Sequence, residues 1–208
     1  EMDQFLMIPV TSLLIAANVI ASLFALSNAK FMEKNLFHVG SILSDKEWHR
    51  MVTSGFLHGG FIHLFVNMYV LFMFGGFVER AVCTTGYLSI YFVSLLGGNA
   101  WALLENKNKP FYRALGASGA TSGIILSFIL FRPFEPLMIF PIPFFMPAVV
   151  LGLAFVVVSA VLAQRENKTI GHEAHLGGAF AGLLTTILIA PSAFSSFSTQ
   201  IAGALGGG

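Results

Sequence analysis

The chain has 208 residues, of which 56% are hydrophobic and only 10% charged, with a formal net charge of +1 and a mean hydropathy of +0.80. Soluble domains carry roughly 25% charged residues, so this chain cannot clothe a water-facing globule and reads as a membrane protein. The near-zero charge argues against a nucleic-acid partner, and the single cysteine, Cys83, rules out an intrachain disulfide or a multi-cysteine metal site.

A bilayer-spanning helix needs roughly 17–25 mostly apolar residues. Six runs qualify without a single Asp, Glu, Lys or Arg: residues 5–27, 61–78, 87–104, 114–131, 137–163 and 174–190. The charges fall between them, as Glu79 with Arg80, Glu105 to Arg113, Arg132 with Glu135, and Arg165 to Glu173. The expected fold is therefore all-α, one polytopic membrane domain over residues 1–191 built as a six-helix bundle. No basic region precedes the first run, so a cleavable signal peptide is not expected. Glu1 ahead of Met2 reads as foreign, and Gly206-Gly207-Gly208 as foreign or truncated. Cys83 reads as a small buried or interfacial residue.

The connection over residues 28–60 mixes Phe31, Phe37, Trp48, Phe56 and Leu57 with seven charged residues. That mixture predicts a segment lying partly in the membrane interface, with a short helix near 45–53 capped by Ser44 or Asp45. The fifth run opens with Pro141, Pro143 and Pro147, which break the helical ladder and make this end a candidate gate. Residues 192–208 are too polar for a seventh span and read as a loosely held tail. No internal repeat is visible, which disfavours an inverted-repeat transporter.

Consecutive spans alternate in direction, so the N-terminal ends of the second, fourth and sixth emerge on one face. The polar residues gather at those ends. His63 and Asn67 open the second span and share a helix face at i, i+4. Ser118 opens the fourth, within Gly116-Ala117-Ser118-Gly119, and His175 opens the sixth. Gly119 and Gly123 form a small-xxx-small pair, and Gly178 and Gly182 continue the His175 face, so two glycine seams can press together. Such an approach would bring an imidazole to the Ser118 hydroxyl, the arrangement an activated serine nucleophile needs. Backbone amides at the start of the fourth span lack intrahelical partners and, with Asn67 and His63, could stabilise an oxyanion. No acidic third member is evident: Glu173 is two residues from His175 and Glu79 lies at the far end of its span. A Ser118–His175 dyad is therefore expected, with His172 as a competing base. His58 reads as a structural hydrogen-bonding residue of the loop, and His38 and His49 as surface residues. A metal site from His58, His63, His172 and His175 is disfavoured, since no carboxylate or thiolate joins them.

These residues resemble the rhomboid family of intramembrane serine proteases, in its six-helix bacterial and archaeal form. The likeness spans Trp48 to Ala190 and rests on Thr53 to His58 followed by His63-Leu64-Phe65-Val66-Asn67, on Gly116-Ala117-Ser118-Gly119, on Glu79 and Gly86, and on Ala174-His175-Leu176-Gly177-Gly178 with Gly182. The resemblance implies Ser118 as nucleophile and His175 as general base and acid. It implies that Asn67, His63 and the Ser118 amide stabilise the oxyanion, and that Gly116 shapes that loop. It further implies that the 28–60 connection is a partly membrane-embedded loop, that the fifth span gates lateral access, and that the substrates are transmembrane segments of membrane proteins. Neither metal nor organic cofactor is implied. The chain departs from the family where Ser122 stands in place of an aromatic that often stacks on the histidine, and Trp48-His49-Arg50 replaces a Trp-Arg pair. The family orientation, with a cytoplasmic N-terminus in a prokaryotic cell membrane, leaves only Arg80 and Arg132 on inner connections and nine Lys and Arg on outer ones. The positive-inside rule gives the reverse; the family orientation is retained. The alternatives are a silent rhomboid-like protein that binds membrane clients, disfavoured because Ser118 and His175 are both present, and a small transporter.

Overall fold

A computed structural model describes residues 9–138, 144–154 and 172–206, and within them the molecule is an almost wholly helical bundle. Helix α1, Val10–Ser27, has no cap of its own. Its first turn is instead held by the buried carboxylate of Glu79, which accepts from the Val10 amide at 2.8 Å, the Thr11 amide at 3.0 Å and the Thr11 hydroxyl at 2.8 Å. These bonds satisfy amides that a helix start otherwise leaves unpaired.

The first connection is more structured than one interfacial helix. It contains α2, Ala29–Asn35, capped by Asn28, then α3, Val39–Leu43, and α4, Arg50–Thr53. The helix expected from Ser44 or Asp45 thus begins at Arg50, because Lys46 takes a left-handed φ of 62° and breaks the chain there. The Arg50 guanidinium is the organiser: it pairs with Glu47 at 2.6 Å and donates to the carbonyls of Glu33 at 2.7 Å and Leu36 at 2.8 Å. A two-residue strand, β1 (Phe37–His38), pairs antiparallel with β2 (Arg113–Ala114), in the register Phe37↔Ala114 and His38↔Arg113. The connection is thereby stitched to the loop ahead of Ser118.

Helix α5, Phe61–Val70, passes through a π-helical turn at Leu71–Gly75 into α6, Gly76–Asn106. The backbone reverses at Cys83, where φ is +55° and ψ 169°. Chain beyond the reversal returns along the chain before it: a Cβ on Gly75 would sit 2.7 Å from the Tyr87 hydroxyl. Cys83 is exposed, at the point of the turn rather than within the packing. The expected gap between runs at 79–86 is therefore helical except at this one residue, and helix continues to Asn106.

Helix α7 is Ser118–Phe131. The following segment is a hairpin of β3, Pro136–Met138, and β4, Phe145–Pro147, and residues 148–154 are helical (α8). The start of the fifth run is thus strand rather than helix. Of the three prolines on which the gate expectation rests, Pro147 closes β4, while Pro141 and Pro143 lie outside the described residues. Helix α9 is His172–Ile189, and the expected loose tail is helical as α10, Pro191–Gly206, which leaves α9 at 106°. Phe197 of α10 packs on the main core.

That core is formed by Leu71, Val78, Tyr87, Ile90, Tyr91, Leu95, Ala117, Ala120 and Ile124 with their neighbours. Its counterpart on the outside is equally apolar: Ile62 is 82% and Leu188 81% exposed, a surface suited to hydrocarbon rather than water. Val10–Ser27 and the folded-back Phe61–Asn106 are both long and apolar enough to cross a membrane. The protein is an all-α integral membrane protein.

Candidate active site

Ser118 is the first residue of α7, so its amide and the two after it stand ahead of the helical ladder, which opens with the Thr121 amide donating to Ala117 O at 2.9 Å. The turn that delivers the chain to Ser118 depends on Gly116, whose φ of +124° is disfavoured for any residue with a Cβ. The Gly116 amide donates to Ser54 O at 3.0 Å, anchoring the turn to the first connection. A Cβ on Gly116 would lie 2.7 Å from Cε1 and 2.8 Å from Nε2 of His63, and 3.8 Å from Ser118 Oγ. The His63 ring and the Ser118 hydroxyl therefore flank one small volume that a side chain at 116 would fill.

Asn67 lies one helical turn beyond His63 and is buried. Its Nδ2 donates to His63 O at 3.0 Å, and its Oδ1 accepts from the Thr121 hydroxyl at 3.2 Å. Thr121 ties α5 to α7 one turn below Ser118 and escapes a reading based on motifs, because a threonine inside an apolar helix carries no pattern. Ser122 is buried and turns its hydroxyl back to Ser118 O at 2.6 Å.

His58 is fully buried and bridges three segments. Its Nε2 accepts from the Ala117 amide at 3.3 Å, which leaves the proton on Nδ1, 2.9 Å from Ser22 Oγ on α1. Ser22 in turn donates to Phe56 O at 3.0 Å. The His58 ring meets the His63 ring edge-on at 4.9 Å. Burial, reinforced by the His63 charge, pushes the His58 pKa down to about 4, so this imidazole is neutral at ordinary pH. The structural role expected for it thus falls on the residue before the nucleophile.

Helices α7 and α9 meet backbone to backbone. A Cβ on Gly178 would overlap the Gly119 carbonyl, and one on Gly182 would overlap Gly123 Cα. One turn further, the Ser127 and Thr186 hydroxyls bond at 2.6 Å. Ser94 of α6 fills the third side, since a Cβ on Gly123 would collide with its hydroxyl. At the top of the seam, Ala174 O lies 3.4 Å from the position of a Cβ on Gly119. Gly119 follows Ser118, and Ala174 precedes the half-buried His175. The side chain of His172 lies outside the described residues. No group of three His, Cys, Asp or Glu able to hold a metal occurs among the described residues.

The family model described as the Rhomboid domain matches residues 45–192, which include every one of these positions except Ser22. The chain is 29% identical to RHOMBOID-like protein 12, mitochondrial, of Arabidopsis thaliana, over 82% of this chain and 55% of that protein. It is 31% identical to YdcA of Bacillus subtilis (strain 168), over 70% of this chain and 69% of that one. With Rhomboid-type serine protease 2 of Emericella nidulans the identity is 30%, over 70% of this chain and 28% of the fungal one. The chain thus spans about half the length of the plant relative and less of the fungal one. A serine-bearing turn, its flanking histidine and a domain match over most of the sequence agree: the chain belongs to the rhomboid family.

Proposed function

We propose that this protein is an intramembrane serine endopeptidase, a six-span bundle that cleaves transmembrane segments of other membrane proteins. The observation that carries this reading is the Gly116 turn, which sets the Ser118 hydroxyl and the His63 ring around one small volume at the start of a helix. In this reading a substrate helix enters from the lipid and unwinds near the site. The His175 imidazole takes the Ser118 proton as Oγ bonds to the scissile carbonyl carbon. The oxyanion so formed is met by amides at the head of α7, by His63 and by Asn67, each donor being worth about 3 kcal/mol in a site shielded from water. Collapse expels the amine, which takes the proton from His175, and leaves an acyl-enzyme. Water then attacks that ester with His175 again as base. The chemistry uses side chains and amides alone, without cofactor. The active end faces outward from a prokaryotic cell membrane, in the family orientation.

The test is cleavage of a reporter transmembrane segment co-reconstituted in proteoliposomes. Wild type yields two fragments, and Ser118→Ala and His175→Ala yield none above the protein-free background. Equal cleavage by Ser118→Ala would overturn the assignment. A wild type that binds the reporter without cutting it would replace the protease reading with client binding.

A further inference from the structure

Glu173 is almost completely buried, at 1% exposure, in the first turn of α9. The helix dipole favours a carboxylate there, but a buried charge is tolerated only where hydrogen bonds meet it. One oxygen, Oε1, accepts from Asn106 Nδ2 at 2.9 Å and from the Tyr112 hydroxyl at 2.8 Å. Asn106 is the last residue of α6, and its Nδ2 also donates to Ala102 O at 2.9 Å. Tyr112 stands just before β2. Its carbonyl accepts from the Val39 amide at 3.1 Å, and its ring meets Phe37 edge-on. The Tyr112 phenol is pushed well above its ordinary pKa by burial and by the Glu173 charge, so it remains a donor. Three segments therefore converge on one carboxylate: the end of α6, the loop stitched to the first connection, and the start of α9.

The neighbouring glycine seam leaves something for this carboxylate to do. Gly119, Gly123, Gly178 and Gly182 bring α7 and α9 close, but a seam of hydrogens has few features to stop one helix sliding or rotating along the other. A buried carboxyl oxygen held by two fixed donors resists both, because a slip would break both hydrogen bonds and leave buried polar groups unsatisfied. Ala174, the next residue, presses its carbonyl against Gly98 of α6 and lies beside Gly119, and His175 follows directly. We infer that Glu173 is a positioning residue: by latching the first turn of α9 to Asn106 and Tyr112, it sets the height and rotation of His175 over Ser118. The inference rests on the Ser118–His175 reading above.

The experiment uses the full chain in detergent with a fluorophosphonate probe, measuring the saturating labelling rate and the half-saturating concentration separately. Glu173→Ala lowers the saturating rate about 10- to 100-fold, the effect of misplacing a reacting group by about an ångström, and leaves the half-saturating concentration within about twofold. Tyr112→Phe, a variant with little risk to folding, lowers the rate by about tenfold or less and has no further effect in the Glu173→Ala background. Glu173→Gln, which keeps an acceptor oxygen for both donors, restores the rate to within about threefold of wild type. A second readout does not need catalysis: in a Cys83→Ser background carrying Ser118→Cys and His175→Cys, adding Glu173→Ala reduces cross-linking by a short bifunctional reagent, and adding Glu173→Gln does not. Wild-type rates and cross-linking in Glu173→Ala would overturn the latch, as would equal losses in Glu173→Ala and Glu173→Gln. Should the wild type itself fail to label, the protease reading falls while the cross-linking still decides the latch.

Discussion

Gly116 and His58 are the two residues on which the geometry around Ser118 most depends, and neither takes part in bond making in the proposed chemistry. A methyl group at 116 would meet the His63 ring at under 3 Å and would require a disfavoured φ. Gly116→Ala should therefore cost about 1–3 kcal/mol of stability and lower Ser118 reactivity by at least the factor that stability loss alone explains. Thermal unfolding and probe labelling of the same sample separate the two losses. His58 must be neutral, since protonation of Nε2 would remove the acceptor that holds the Ala117 amide. Its pKa is lowered from 6.5 to about 4 in the folded protein. Between those values the unfolded chain binds the proton and the folded one does not, so the stabilisation is complete above pH 6.5 and is lost as pH falls toward about 4. The loss attributable to this residue is about 3 kcal/mol at most. The midpoint of unfolding should drop over that window in wild type and drop less in His58→Asn. A wild-type midpoint that is flat from pH 7 to 4 would contradict the assignment.

At the scale of helices, small residues decide what can approach. Gly178 has no room for a Cβ against Gly119, whereas Gly203 of α10 has nothing within 4 Å of that position. The same substitution should thus act with opposite signs. Gly178→Ala should destabilise by about 2 kcal/mol or more, as overpacking a closed interface does. Gly203→Ala, in an open helix interior, should stabilise by up to about 1 kcal/mol. Chemical unfolding of the two variants in one detergent compares them directly. The seam was legible in the sequence because Gly119 and Gly123, and Gly178 and Gly182, each repeat at four residues, the spacing that places side chains on one helix face. The elements lost to a sequence reading are those set by contacts distant in the chain. The strands β1 and β2 are two residues each and separated by more than seventy positions, too short for an alternating pattern to show. The reversal itself was expected between the runs ending at 78 and starting at 87, but its confinement to Cys83 was not, because that residue is neither glycine nor proline and helix runs on either side of it. Glu173 looked unconnected for the same reason: its partners, Asn106 and Tyr112, are donors from a different part of the chain.

For the molecule as a whole, the fold concentrates polar chemistry at one end of an apolar body. Ser118, His63 and the start of α9 stand together there, roofed by the first connection through the β1–β2 pairing and the Gly116–Ser54 bond. At another point of the bundle, Glu79 ties the start of α1 to the end of the helical limb before Cys83. The all-α membrane class followed from composition, because a chain with 10% charged residues cannot cover a water-facing surface. In the proposed mechanism Ser118 is an activated nucleophile that depends on His175. Reaction of the purified chain with a fluorophosphonate probe, followed by intact-mass measurement, tests it most directly. One adduct is expected on wild type and none on Ser118→Ala or His175→Ala. A wild type that stays unmodified while a reference serine hydrolase reacts in the same detergent, or an adduct that persists in Ser118→Ala, would contradict it.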